Sequence, residues 1–427
     1  MTGGPPAAAP DAARIEQRNF VLNAAEGALF ISSGAFINAQ TVLPALVSRL
    51  GGSNVVVGAL GVLVYVGIFL PQIFSARHVE TFPWKKRWAL KMGATHRLFV
   101  LAMGIVLLIF GGGQPTVALW LFMILFTLMQ LIIGVVTPGW FELFAKLTPA
   151  RKRGRLVGVR NSLGGAAAFV CGLVLTWLLG TFPFPLSFAI AFFAAFLLPS
   201  GSLATQLSLV ETEPSVTTAR RPVVAFLRDL PGILRANTPF RTFIASCAVL
   251  TFATMPVGFF TVYALQHFQA DESVVGAFTL TMVAIQVVSA LVNGYIADRY
   301  GNKLPLIISA VALLLASLTA FLAPSLAWFT LVYLFLGVNL GTEMMARYNM
   351  SVEYGPSRQR STYIGLMNTM VAPFYLSGMI GGLLSEWFGL RAVFAIGVAI
   401  SLAGLTVLIR RVVDPRAIAP PHQQVAG

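Results

Sequence analysis

The chain is 427 residues long, 57% hydrophobic and 10% charged, with a mean hydropathy of +0.81. That is too apolar to clothe a water-soluble surface and places the chain in a bilayer. Its formal net charge of +14 would suit a nucleic-acid partner only if the cations were gathered for one, so their positions along the chain decide the matter.

The opening MTGGPPAAAPDAA has no cationic stretch leading into an apolar core, so residues 1–18 read as a disordered tail and not as a signal peptide. A hydrocarbon core about 30 Å thick takes about 20 mainly apolar residues per helix. Twelve such segments follow, near 19–46, 54–78, 87–110, 116–146, 156–181, 185–208, 241–267, 273–297, 303–323, 326–352, 361–387 and 390–410. In lipid each segment must satisfy its own backbone polar groups, so the expected fold is an all-α membrane protein. Its parts are a six-helix bundle over 19–208, a linker over 209–240, a second six-helix bundle over 241–410 and a tail over 411–427.

Ionisable side chains inside spanning helices are costly unless paired or wetted, which makes each one a site candidate. Segment 1 carries Glu26, about 10 Å from its start at the helical rise per residue, followed by Ser32, Ser33, Asn38 and Gln40. Segment 3 carries His96 and Arg97, the latter about 15 Å along the helix. Arg97 either sits near the midplane or snorkels to the cytoplasmic side. Segment 4 carries Gln130, Thr137 and Glu142, which stands four residues before Lys146 and within reach of it or of Arg160 as a structural or gating pair. Cys171 in segment 5 and Cys247 in segment 7, the two cysteines of the chain, both lie in apolar runs and read as packing residues, neither a disulfide framework nor a metal site.

The longest polar connection, 209–240, divides the segments six and six. Its PVVAFLRDLPGIL stretch reads either as an amphipathic helix at the membrane interface or as a plain tether. Segment 7 has no charge, but Thr251, Thr254, Met255, Pro256 and Gly258 form a kink whose freed carbonyl can face a cavity. Gln286 and Asn293 on segment 8 suit helix-to-helix hydrogen bonds. Segment 10 holds Asn339, Thr342, Glu343 and Arg347. Glu343 and Arg347, four apart on one face, form either a self-neutralised pair or a site where substrate or a proton competes for Glu343.

Placing residue 1 in the cytoplasm leaves only Arg49 and Arg391 on the far side, so 29 − 2 = 27 of the 29 Lys and Arg fall on the cytoplasmic connections, the tails and the helix turns next to them. The basic charge is therefore a topology signal, which removes the nucleic-acid reading. The halves also repeat. LTPARKRGRLVGVRNSL at 147–163 returns as YGPSRQRSTYIGLMNTM at 354–370, a spacing of 354 − 147 = 207, with Pro149/Pro356, Arg151/Arg358, Arg153/Arg360, Gly158/Gly365 and Asn161/Asn368 in register. Val56-Val57-Gly58-Ala59 returns as Val274-Val275-Gly276-Ala277 at 274 − 56 = 218. Parallel duplication of this kind is typical of secondary transporters that bind substrate between their halves.

Between segments 8 and 9, Gly294-Tyr295-Ile296-Ala297-Asp298-Arg299-Tyr300-Gly301-Asn302-Lys303 resembles the G-x-x-x-D-R-x-G-R-K loop of the major facilitator superfamily, departing from it at Asn302. The resemblance covers residues 15 to 412. It implies two pseudo-symmetric six-helix bundles, segments 1, 4, 7 and 10 around a central cavity and segment 3 on the periphery, which favours a snorkelling Arg97. It also implies that Asp298 latches onto the N-terminal end of segment 5. On the residues alone, Gly301 permits the turn, and an acid at a helix C-terminus needs a cationic or N-terminal partner. The first half lacks that acid, with Ser75-Ala76-Arg77 facing Ala297-Asp298-Arg299, and Lys146 stands where the second half has Glu353. A one-sided charge network of Asp298, Arg299, Glu353, Arg358 and Arg360, with Glu142 and Arg153 from the first half, is expected at the cytoplasmic gate.

The substrate or proton candidates are Glu26, Asn38, Gln40, Gln130, Thr254, Asn339, Glu343 and Arg347. No Walker-type, paired metal-ligand or G-x-S-x-G pattern occurs, so neither an enzyme nor a cofactor or metal requirement is expected. The expected protein is a multi-pass transporter of the inner (plasma) membrane, monomeric, with both termini cytoplasmic. It moves a small organic, amphipathic solute by alternating access, coupled to protons through buried carboxyls, and export is favoured by the apolar cavity. The alternatives are a lipid or amphiphile flippase and an uptake carrier for a metabolite.

Overall fold

A computed structural model describes residues 9–215, 232–356 and 360–418. Among the described residues, eleven helices are long and apolar enough to cross a membrane. The remaining segment, the first, falls short because its longer piece carries Asp11, Arg14, Glu16, Arg18 and Glu26 and its shorter piece has only 8 residues. Its two pieces are α1 (Ala9–Ser33) and α2 (Val42–Arg49), followed in the first half by α3 (Asn54–Glu80), α4 (Lys85–Phe110), α5 (Pro115–Leu147), α6 (Ala150–Thr181) and α7 (Leu186–Leu207). The second half contains α8 (Thr238–Phe252), α9 (Phe260–His267), α10 (Ser273–Tyr300), α11 (Lys303–Leu322), α12 (Leu326–Glu353), α13 (Arg360–Val371), α14 (Ser377–Phe388), α15 (Leu390–Arg410) and α16 (Pro415–Ile418).

Three segments are interrupted, each for a local reason. Segment 1 breaks over 34–41, where the Asn38 side chain accepts hydrogen bonds from the Gln40 and Thr41 amides at 2.9 and 3.2 Å and so starts the next helix. Segment 7 breaks between α8 and α9, where Pro256 cannot donate and a short 3-10 turn, Val257–Phe259, takes over. Segment 11 breaks at the 3-10 turn Ala372–Leu376, which contains Pro373. The interruptions of segments 1 and 7 begin at 34 and 253, and 253 − 34 = 219 lies within one residue of the 218 that separates the two Val-Val-Gly-Ala copies. The discontinuity thus belongs to the duplicated plan.

The chain divides into two compact units. One holds residues up to 37, 67–178 and 182–220, and the other holds 38–66, 179–181 and 221 onward. Residues 38–66 of the first half therefore pack with second-half helices. In that unit the α3 and α14 backbones touch at Gly58 and Gly378, where a Cβ on either would collide with the other's backbone. Thr41 also bonds Thr279 on α10 at 2.6 Å. In the other unit the core runs between α4, α5 and α7, with Phe122 stacked on Phe126 and edge-on to Phe192.

The polar stretch ahead of segment 1 departs from expectation. Helix α1 begins at Ala9, inside the stretch 1–18 expected to be disordered. The sequence DAARIEQR is rich in helix formers. Its end is tied down by Arg18 donating to the Ser208 carbonyl at 3.1 Å and by Glu16 pairing with Lys152 at 2.6 Å. Lys152 holds the Glu16 carboxyl below its usual range. The start of the 209–240 linker is fixed as well: Asn19 and Val210 exchange two hydrogen bonds of 2.9 and 3.0 Å. Glu211 accepts from the Lys85 and Lys86 amides at 3.0 and 3.1 Å, capping α4. Most of the expected amphipathic stretch, 222–231, lies outside the described residues, while 232–236 is helical.

Candidate functional site

The three helix breaks meet at one cavity. It measures about 110 Å³ and is lined by Ala39 and Gln40 from the first break, Thr254, Met255 and Gly258 from the second, Tyr375 from the third, and Ser377 and Gly378 at the start of α14. Tyr65 on α3 and Ser309, Asn339 and Glu343 from α11 and α12 complete its polar wall. Unwound segments put unpaired backbone groups next to the space they enclose, and for that reason discontinuous helices form substrate and ion sites in transporters.

One ion pair sits at this wall. Glu343 Oε1 lies 3.1 Å from Arg347 on the same helix face, with the Glu343 side chain 32% exposed and that of Arg347 3%. The acid therefore fronts the cavity and the base lies behind it. Arg347 also donates to the Thr251 hydroxyl at 3.5 Å and the Tyr375 hydroxyl at 3.3 Å. Tyr375 is stacked on Tyr65, ring centroids 3.6 Å apart at 12°. Sequence reasoning missed this tyrosine pair because its members come from segments 2 and 11, outside the expected cavity helices.

Of the eight candidates, Gln40, Thr254, Asn339 and Glu343 line the cavity. Asn339 is occupied with α11, donating to the Ser309 carbonyl and hydroxyl at 3.1 and 2.9 Å. Asn38 closes the turn ahead of α2 by accepting from the Gln40 and Thr41 amides, and Gln130 is buried where α5 crosses Gly67 of α3. Glu26 belongs to a separate buried cluster. Its carboxylate pairs with Arg160 at 2.6 Å and accepts from Gln206 at 2.7 Å and Ser202 at 3.2 Å. Arg160 lies over the Trp140 ring at 4.8 Å.

Arg97 neither snorkels nor lines the cavity. At 4% exposed, it donates to the carbonyls of Gly93, on its own helix, and Pro199, on α7, and reaches Ser202 at 3.4 Å. Carbonyls, one of them beside a helix proline, satisfy it where lipid could not. Glu142 pairs with neither Lys146 nor Arg160. It meets Lys85 at 2.7 Å, while Lys146 takes Glu211 at 2.7 Å. Linear spacing could not foresee partners that arrive from the α4 N-terminus and the linker.

The expected gate network is also rearranged. Glu353 is held by Asn302 at 2.7 Å, which in turn accepts from Asn349 at 3.2 Å. The residue at which the signature departs from its pattern is thus the one that binds the acid, through an amide where the pattern has a guanidinium. Arg299 lies over the Tyr300 ring at 5.6 Å, Arg360 is exposed, and Arg358 lies outside the described residues. The cation at the end of α10 is Arg416, donating to the Ala297 and Asp298 carbonyls at 3.0 and 3.5 Å, and Gly301 closes the turn at φ +89°. Arg153 caps α5 through the Ala145 and Thr148 carbonyls at 2.6 and 3.0 Å. Away from these, Arg49 pairs with Glu272 at 2.8 Å, and burial raises the Glu272 carboxyl. Among the described residues no group of three His, Cys, Asp or Glu side chains is placed to hold a metal.

Comparison with known proteins bears on this arrangement. The 4-hydroxybenzoate transporter PcaK of Acinetobacter baylyi is 28% identical over 148 residues, which is 34% of this chain and 32% of that protein. A gallate transporter of Pseudomonas putida is 29% identical over 156 residues, 36% of this chain and 34% of that one. The chain thus matches about a third of the length of these relatives. Among solved structures, a mutant of the nucleoside transporter NupG superposes with a TM-score of 0.69 at 12% identity, covering 92% of this chain and 99% of that one. A bacterial homologue of the iron transporter ferroportin gives 0.64 at 18% identity, covering 93% and 98%. The family model of the Major Facilitator Superfamily matches residues 26–373 and 242–426, nearly the whole chain, and the chain belongs to that family.

Proposed function

We propose that this transporter is a proton-coupled secondary carrier of a small organic solute, binding it at the cavity where the breaks of segments 1, 7 and 11 meet and working by alternating access. The observation that carries the reading is the Glu343–Arg347 pair at that wall, acid in front and base behind. A proton on Glu343 breaks its pairing with Arg347 and frees the guanidinium for an anionic group, so proton and solute act around one Arg. The positive-inside count supports both termini in the cytoplasm of an inner membrane.

Direction follows from coupling. A proton that travels with the solute drives uptake down the inward gradient, and uptake replaces the export favoured by the apolar lining alone. The test is solute flux into proteoliposomes under an imposed pH gradient, with Glu343→Gln compared to the unaltered protein. The variant is expected to exchange solute without accumulating it. Gradient-driven accumulation that persists in the variant removes the proton role.

A further inference from the structure

Resting on the proton-coupled reading of this cavity, we infer that the solute is a small planar aromatic monocarboxylate, with its ring on the Tyr65–Tyr375 stack and its carboxylate on Arg347. Three features of the same site converge on that chemistry.

The first is shape. Two tyrosine rings lie face to face along one wall, 3.6 Å apart and 12° from parallel, and both line a cavity of about 110 Å³. A flat ring extends such a stack at little cost in conformational freedom. For scale, a dry cavity of about 150 Å³ holds benzene, so this space is on the scale of a single ring and too small for a fused system. Leu60, Val64, Leu313 and Leu336 supply the apolar rim.

The second is unused capacity on Arg347. A guanidinium carries five N–H donors in a fork matched to a carboxylate. Here Glu343 engages Nη1 with one oxygen at 3.1 Å, the two hydroxyl contacts are long, and Nε is buried with no hydrogen-bond partner among the described residues. Native proteins rarely leave such a donor idle. Thr251 and Tyr375, which Arg347 touches, are themselves cavity residues, so a carboxylate entering the cavity meets the guanidinium beside the tyrosine stack.

The third is charge. The groups facing Glu343 are Arg347 on its own helix, Tyr65 on α3, Tyr375 in the segment 11 break and Cys247 on α8. The tyrosines and the cysteine are neutral at physiological pH, so the empty site sums to zero. A monoanion alone would leave one uncompensated negative charge in a desolvated space. One proton on Glu343 restores neutrality: it binds the carboxylate, breaks the contact with Arg347 and hands that guanidinium to the solute. Proton and anion then leave together, and the cycle moves no net charge.

The test is calorimetric binding of 4-hydroxybenzoate to purified full-length protein in buffers of different ionisation enthalpy, which counts protons taken up per anion. One proton per molecule is expected, together with affinity falling about tenfold per pH unit as pH rises. Cyclohexanecarboxylate, lacking the flat ring, should bind at least tenfold more weakly, and 4-hydroxybenzyl alcohol and benzylamine more weakly still. Tyr65→Phe should keep the preference for the aromatic ring and Tyr65→Leu should lose it. Equal binding of the cyclohexyl acid, or preference for benzylamine, overturns the solute class while leaving the proton role to the Glu343→Gln flux test. Binding of 4-hydroxybenzoate with no proton uptake overturns the charge argument.

Discussion

Glu26 and Glu343 are both acids on helices of the expected cavity, yet the structure gives them different work, and exchanging each for Gln separates the two. Glu26 is 2% exposed and Arg160 7%, with carboxylate and guanidinium 2.6 Å apart. Removing one member of a buried ion pair costs about 3–5 kcal/mol, because the other charge stays behind. Arg160 keeps the Asn23 carbonyl at 2.6 Å and the Trp140 ring, and the amide oxygen introduced by Glu26→Gln can still accept from Gln206 and Ser202. The loss expected for that variant is therefore at the low end, about 3 kcal/mol. Adding Arg160→Met removes the stranded cation and leaves a side chain that packs on Trp140 and Phe144, so the double variant should recover most of that loss. Thermal and denaturant unfolding of the purified proteins measures the stability, and pH-driven flux measures the function. Glu26→Gln should be less stable and still proton-coupled. Loss of coupling in Glu26→Gln, or a double variant as unstable as the two single losses summed, refutes the division of labour between the two acids.

Four further outcomes follow from named contacts. Glu211→Ala should cost about 1–2 kcal/mol in thermal unfolding, since it removes the cap on two amides of α4 and the partner of Lys146. Asn302→Ala should destabilise by about 1–3 kcal/mol by stranding Glu353, and less at low pH, where a protonated Glu353 has no charge to strand. Glu272 has its carboxyl raised above 4.5 by burial, so the folded chain holds that proton more tightly than the unfolded one. Its contribution to stability therefore grows as pH falls through the window just above 4.5, and Glu272→Gln should abolish that part of the pH dependence. Asp298→Asn, if the acid latches onto segment 5, should raise the reactivity of cysteines placed along 156–165 towards a membrane-impermeant maleimide, and unchanged reactivity rules the latch out.

Much of the fold is legible because the bilayer imposes a strict grammar: long apolar runs, basic loops on one side and a repeat. The twelve segments follow from that alone, and Glu343–Arg347 follows from helical spacing. What is not legible depends on chain arriving from far away. Lys85, Glu211 and Arg416 complete the surroundings of Glu142, Lys146 and Asp298 from sequence distances that no local pattern records. Arg97 reads as a snorkelling residue because the resemblance puts segment 3 on the periphery, and no sequence pattern shows the carbonyl of Pro199 on a neighbouring helix. The tyrosine stack is hidden for a similar reason, since neither ring lies on a helix that the resemblance marks as central.

The duplication explains where the cavity is, and the loss of symmetry explains what it can do. Both halves carry the break in their first helix at the same register, although one is made by an Asn-capped turn and the other by Pro256. Two different local solutions at equivalent positions indicate that the interruption itself, with its freed backbone, is what each half contributes. Charge is not shared in this way. The first half places its buried acid, Glu26, in a network closed by Arg160, Gln206 and Ser202, whereas the second half places Glu343 at the wall with one long contact and an Arg that keeps an idle donor. A closed network resists exchange and an open one invites it. The polar chemistry of the cavity therefore rests on the second half, and the first half supplies Gln40 and the Tyr65 ring to a site whose charge it does not hold.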